Sequence, residues 1–209
     1  VYGSAKIDSN FYCTTYCEGK TTEKQIAITF DDGPTPFTPK ILDTLRTYQA
    51  PATFFVIGKN IRGNEAILKQ TLSEGHSIGN HTFTHSNFID FKNAKQFKKE
   101  LSQTDETVFN VTGQHLTLFR PPYGVTTPHL VKAAKALDYK IIGWNIRSLD
   151  TTKDSEEIIY KRVTQQIKPG AIILFHDTSE KTNAVLKRTL EFAASHQFKI
   201  VPLNAFLNL

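Results

Sequence analysis

Short apolar runs alternate along this chain with stretches whose apolar residues return every three or four positions. Residues 25–30 (QIAITF), 52–57 (ATFFVI) and 171–175 (AIILF) are near-continuous apolar runs of strand length, the pattern of strands buried on both faces. Shorter runs at 76–79, 116–119, 139–144 and 198–203 bring the predicted strands to seven. Helical periodicity fills the intervals. Thr38, read as N-cap with Pro39 at the first helical position, opens a helix burying Ile41, Leu42, Leu45 and Tyr48. A second, through Ile67, Leu68, Thr71 and Leu72, stops at Gly75. Phe91, Ala94, Phe97 and Leu101 carry a long helix with Lys and Glu on its outer face, and Thr127-Pro128 opens one that buries Leu130, Val131, Ala134 and Leu137. Asp154 with Glu157 reads as a capping box for a helix through Ile158, Ile159, Val163 and Ile167, and Val185, Leu186 and Leu190 mark the last. Strands alternating with helices predict an α/β fold, a parallel sheet covered by helices in a single domain. Its closed form is a distorted (β/α) barrel with about seven parallel strands; periodicity leaves a doubly wound open sheet as the alternative.

Composition adds little to this picture. A chain of 209 residues with 39% hydrophobic content suffices for one domain and its core. The excess of 25 basic over 20 acidic residues, +5, is common in proteins that bind nothing anionic. No basic stripe with interleaved aromatics supports nucleic-acid binding, and no apolar run reaches the roughly 20 residues of a membrane span. The chain starts at Val1 and has no Met, as expected of a processed or trimmed protein, and any targeting segment would lie upstream. Cys13 and Cys17, four apart, read as a local disulfide or two idle thiols. Asn80-His81-Thr82 and Asn110-Val111-Thr112 are sequons.

Chemistry concentrates where the predicted strands end. Asp31-Asp32 follow the first, His81 and His85 the third, Arg120 the fourth, Asp150 the fifth and His176-Asp177 the sixth. That edge carries the active site in closed and open parallel α/β folds alike. Asp32-Gly33-Pro34 is a turn sequence, but a turn does not account for a second acid directly against a buried strand. One helical turn would put His81 and His85 on one face, and with Asp32 they offer two nitrogens and one carboxylate, a donor set suited to zinc or iron. Arg120 beside Asp31 would keep that carboxylate ionised, and the stiff Pro121-Pro122-Tyr123-Gly124 loop offers backbone N–H groups to an oxyanion. His176 reads as a core histidine or a general acid with Asp150 as partner.

In this order these motifs resemble the polysaccharide deacetylases with a NodB homology domain, carbohydrate esterase family 4, from about Ile26 to the C-terminus. Residues 1–24 are accordingly read as an N-terminal extension and 25–209 as the catalytic domain. The resemblance implies Asp31 as catalytic base; Asp32, His81 and His85 as metal ligands; and Arg120 orienting the base. It implies the Tyr123 N–H in an oxyanion hole, Leu174, Pro122 and Tyr123 lining the substrate site, and His176 as general acid paired with Asp150. Many members carry Trp where this chain has Thr151, which weakens one wall of the groove. The expected activity is metal-assisted hydrolysis of acetyl groups from an N-acetylglucosamine polymer, peptidoglycan or chitin-type, with acetate released. Zinc is the expected metal, with cobalt, nickel, manganese or iron as alternatives. The expected protein is monomeric and secreted, periplasmic or cell-surface. Two rivals stay open: an esterase acting on O-acetylated xylan, and a catalytically silent carbohydrate-binding relative.

Overall fold

The computed structural model describes residues 7–88 and 91–207. Eight strands lie in one parallel sheet: β1 (Gln25–Asp31), β2 (Ala52–Val56), β3 (Ser77–Asn80), β4 (Leu118–Phe119), β5 (Lys140–Ile141), β6 (Ile146–Arg147), β7 (Ala171–His176) and β8 (Lys199–Ile200). Seven follow one path in the order β5-β4-β3-β2-β1-β7-β6, and β8 pairs with the first two residues of β1. Helices α1 (Thr38–Thr47), α2 (Glu65–Ser73), α3 (Ala94–Thr112), α4 (Pro128–Lys135), α5 (Glu156–Thr164) and α6 (Glu180–Ser195) form the outer layer. The arrangement is the expected distorted (β/α) barrel, curled but open between β5 and β6. Residues 16–19 bridge that opening: the Tyr16 N–H donates to the Ile141 carbonyl and the Gly19 N–H to the Gly170 carbonyl.

Because side chains alternate along a strand, the sheet separates two cores. Ile26, Ile28 and Phe30 of β1, Phe54 and Val56 of β2, and Ile173 and Phe175 of β7 pack outward against Ile41, Leu42, Leu45, Phe97, Leu101 and Val185 on the helices. Ala27, Phe55, Leu118, Ile142 and Ile172 point inward and fill the barrel. Two and four residues further along the same inward rows come Thr29 and Asp31, Arg120, and Leu174 and His176. Apolar residues thus plug the lower barrel while the same alternation raises the polar ones to its mouth.

Several local expectations need correction. Thr38 is not an N-cap: Phe37 occupies that position without a side-chain cap, and the Thr38 hydroxyl is spent on the Asp177 carboxylate. Ser155, one residue after Asp154, caps α5 by accepting from the Ile158 N–H, while Asp154 pairs with Arg162 at 2.5 Å. The long helix begins at Ala94 with an Asn93–Gln96 capping box and ends at Gly113 (φ 74), leaving Phe91 outside it and 86% exposed. Glu100 lies on its buried face, not its outer one. The run 139–144 holds only two strand residues, and β6 is too short to leave a pattern in the sequence. Thr127 does cap α4, accepting from the Leu130 N–H at 3.2 Å.

Candidate active site

Asp31 and Asp32 leave β1 on opposite errands. Asp31 ends the strand and is 3% exposed; its Oδ1 accepts from Arg120 Nη1 at 2.8 Å. Arg120 is wholly buried, and its guanidinium also donates to Thr29 Oγ1 at 2.7 Å and the Gly143 carbonyl at 2.8 Å. It lies 4.2 Å from the Phe55 ring and 5.6 Å from Trp144. Burial nevertheless prevails over Arg120 and pushes the Asp31 carboxyl above the ordinary carboxylate range. The expectation that Arg120 would simply keep Asp31 ionised is modified: a pKa moved upward makes this carboxylate a stronger base.

Asp32 turns away with φ 78. Its Oδ1 lies 3.6 Å from His81 Nε2 and 3.4 Å from His85 Nε2, and one donor atom from each of the three falls within 4.8 Å of the others. The two imidazoles do not share a helical turn as expected; residues 81–85 form a bent loop with Thr82 at φ 67 and His85 at φ 47. Glu100 of α3 holds that loop, accepting from the Phe83 and Thr84 N–H groups at 3.0 and 2.8 Å and from the Thr84 hydroxyl at 2.8 Å. Asn80 beneath it is fully buried, donating to the Leu101 carbonyl and the Tyr139 hydroxyl, so its sequon cannot accept a glycan in the folded chain.

Two features of the triad fit a cation. Asp32 Oδ1 is a buried carboxylate oxygen with no hydrogen-bond partner. His81 Nδ1 lies 2.7 Å from the Arg120 carbonyl, which makes Nδ1 the protonated nitrogen and leaves Nε2 with its lone pair toward Asp32. Burial lowers the His81 pKa to about 3, so the imidazole stays neutral.

On the other side of Asp31, His176 ends β7 directly in register with it. His176 Nδ1 lies 2.8 Å from Asp150 Oδ1, and Asp150 Oδ2 accepts from the His176 N–H and the Thr182 hydroxyl, each at 2.8 Å. Burial works against the imidazolium, but the Asp150 hydrogen bond and charge outweigh it and the His176 pKa is raised. Burial likewise works against the Asp150 carboxylate, and the His176 contacts outweigh it, lowering the Asp150 pKa. Leu174 and Pro122 are buried at the rim. Tyr123 is 48% exposed with φ 59, its hydroxyl donating to Asn87 Oδ1 at 2.5 Å and its ring edge-on to His85 at 4.8 Å. Every singled-out residue converges on one mouth, and backbone in the left-handed region recurs there at Asp32, Thr82, His85, Tyr123 and Leu149, as at many functional sites.

Residues 18–142, more than half of the chain, match the family described as polysaccharide deacetylase. The chain belongs to that family. Relatives of this deacetylase domain include a peptidoglycan-N-acetylglucosamine deacetylase of Bacillus cereus, 36% identical over 197 residues that cover 91% of each chain. Another is the peptidoglycan-N-acetylglucosamine deacetylase PgdA of Listeria monocytogenes, 34% identical over 184 residues, 88% of this chain. The chain spans only 39% of that protein's length. A crystal structure of a peptidoglycan N-acetylglucosamine deacetylase superposes with a TM-score of 0.87 at 30% identity, covering 92% of both chains. Family 4 enzymes are in general metal-dependent, and Asp32, His81 and His85 are the group among the described residues that could hold an ion.

Sequence reasoning does not reach the supports of this candidate site. Glu100 reads as one more helix-surface acid; its only sequence signal is its position between Phe97 and Leu101 on the apolar face. Asp177 is fully buried beside Thr38, with Oδ1 unpartnered, and burial raises its pKa to about 7. Cys13 and Cys17 carry free thiols, so the local disulfide is absent.

Proposed function

We propose that this chain is a metal-dependent hydrolase that removes acetyl groups from an N-acetylglucosamine-containing polysaccharide, peptidoglycan or chitin-type, and releases acetate. The observation that carries the reading is the flanking of one cation-competent triad by a carboxylate and an imidazole, Asp31 and His176, in register on adjacent strands. In this reading Asp32, His81 and His85 hold a divalent cation, zinc first. When bound, such a cation supplies Lewis-acid polarisation and acidifies water.

The chain's own residues do the rest. Asp31, held by Arg120 through Oδ1, takes the proton of the attacking water at Oδ2. The Tyr123 N–H donates to the oxygen that gains charge as the carbonyl carbon becomes tetrahedral. His176, its Nδ1–H fixed by Asp150, gives a proton from Nε2 to the sugar nitrogen as the C–N bond breaks. Leu174 and Pro122 exclude water around the acetyl methyl group. Thr151 is exposed and leaves that side of the groove without the large aromatic of many relatives. A polymer substrate of the cell wall implies a secreted, periplasmic or cell-surface protein; among the described residues no helix is long and apolar enough to cross a membrane.

Acetate release from N-acetylglucosamine oligomers, peptidoglycan and acetylated xylan, after chelation and with zinc restored, tests the reading. Zinc-restored release from either amide polymer supports it. Release from xylan alone makes the protein an esterase, and no release from any of them by zinc-loaded protein overturns it.

A further inference from the structure

A cleft of about 830 Å³ opens next to the candidate active site, where the barrel is bridged by the N-terminal segment rather than by a strand. Tyr123 and Gly124 form one end, so the cleft is continuous with the loop that flanks His85. Tyr16 and the half-buried Trp144 give it aromatic walls. The Trp144 ring lies flush on that loop: a Cβ added at Gly124 would come within 2.6 Å of it.

The charges in the cleft are unequally engaged. Asp8, Glu18, Lys20 and Arg147 line it, two of each sign. Glu18, however, is engaged by Lys168 from outside, at 3.1 Å, and by Asn145. Arg147 and Lys20 are exposed and have no carboxylate within ion-pair distance among the described residues. Arg147 stands in register with Leu174, and its guanidinium lies 5.8 Å from the Trp144 ring. A guanidinium near an aromatic ring beside the acetyl site suits a sugar ring that carries a carboxylate: the ring stacks on the aromatic and the acid pairs bidentately with the guanidinium.

We infer that this cleft binds the carboxylate-bearing sugar next to the acetylated unit, with Arg147 as its anion-recognising residue and Lys20 in support. The inference rests on the deacetylase reading and narrows its substrate to glycan strands whose muramic acid carboxyl is free, not amide-linked to a peptide, over neutral chitin. Charged hydrogen bonds of this kind correspond to about tenfold or more in affinity.

Trp144 is the chain's only tryptophan, so its emission reports on this cleft and the adjoining Tyr123-Gly124 loop, and the carboxylate preference separates the two. The zinc-loaded full chain is mixed in a stopped-flow instrument with three ligands: a tetrasaccharide alternating N-acetylglucosamine and N-acetylmuramic acid, its carboxyl methyl ester, and tetra-N-acetylchitotetraose. The expected result is a change in Trp144 emission with an affinity for the acid about tenfold or more above the ester and the neutral oligomer. Arg147→Gln should abolish that preference, and Arg147→Lys should restore part of it. Equal affinities, no emission change with the acid, or a preference that survives both Arg147→Gln and Lys20→Gln overturns the inference. Acetate release from the same sugars separates the two readings. Release without any carboxylate preference sinks the cleft and leaves the deacetylase. A carboxylate preference in binding with no release from any acetylated sugar sinks the deacetylase and leaves the cleft.

Discussion

Asp150→Asn isolates one charge in the candidate acid and leaves its shape. In the wild-type chain burial is the largest influence on His176 and opposes protonation; the Asp150 hydrogen bond and charge reverse the sign. Removing that charge leaves burial opposed only by the more weakly acting Asp31 and Asp32 carboxylates, so the His176 pKa should fall. The charge centres of a 2.8 Å Nδ1–Oδ1 contact lie about 4 Å apart, which at an effective dielectric constant of about 20 is worth about 4 kcal/mol. At about 1.4 kcal/mol per unit this bounds the shift at about three units, and the amide oxygen that can still accept from Nδ1 brings the expectation to between about one and three. The assay is the pH profile of kcat/KM for acetate release from N-acetylglucosamine oligomers. The alkaline limb, where the general acid is lost, should move down by that amount. A limb that stays within about 0.3 unit of wild type, in a variant that still turns over, refutes the pairing as the source of the acid's pKa.

The same pair has a stability signature that does not depend on activity. His176 has its pKa raised by folding, so its contribution is present below about pH 6.5 and is lost as pH rises through the folded value. Asp150 has its pKa lowered, so its contribution is present above about pH 3.9 and is lost as pH falls through the folded value. The difference in melting temperature between wild type and Asp150→Asn should therefore be greatest between about pH 4 and 6.5.

Other substitutions test the remaining assignments. His81→Ala should fold and lose bound metal; an equimolar zinc content by elemental analysis would remove His81 from the triad. Asp31→Asn should retain zinc and lose at least about a hundredfold in kcat, the scale of general-base catalysis, and near-normal turnover would remove Asp31 as base. Glu100→Ala strands two loop N–H groups and the Lys92 ammonium; a loss of about 2–4 kcal/mol in denaturant unfolding is expected, together with weaker zinc affinity. Asp177, with its pKa raised to about 7, stabilises most when protonated, so wild-type melting temperature should fall as pH rises from about 4 to 7, and Asp177→Asn should flatten that slope.

Much of this was legible in the chain because of a physical conflict. A carboxylate or imidazole at the end of a buried apolar strand is costly unless something there uses it, and Asp31, Arg120 and His176 each break such a run where the barrel opens. Strands of five or more residues carried their signal in uninterrupted burial, as β1, β2 and β7 do. What escaped notice has no such conflict. β6 is two residues long, and residues 16–19 close the barrel through backbone bonds that leave no side-chain pattern. Glu100 hides among the Lys and Glu of α3 because a helix shows its buried acid and its solvent acids in the same composition. The i, i+4 spacing of His81 and His85 points to a shared helical face, whereas the loop reaches the same meeting point through left-handed backbone at Thr82 and His85.

That left-handed backbone shows how the site is held. Residues such as Tyr123 and Leu149 resist φ near 60°, and each such conformation costs of order 1–3 kcal/mol unless its surroundings over-determine it. Here the surroundings do. The His loop hangs on Glu100 and Asn80, Tyr123 is tied to Asn87 and braced against His85, and the Leu149 turn lies between Ser148 and Asp150, which bond each other. The His loop's ties come from Asn80 at the end of β3 and Glu100 on α3, so its positioning is anchored in the elements that the apolar cores hold. A variant that removes a tie but leaves the cores intact should therefore stay folded while its reacting groups lose their register. That is why Glu100 and Asn87, which the proposed chemistry never uses directly, are as informative as Asp31 itself.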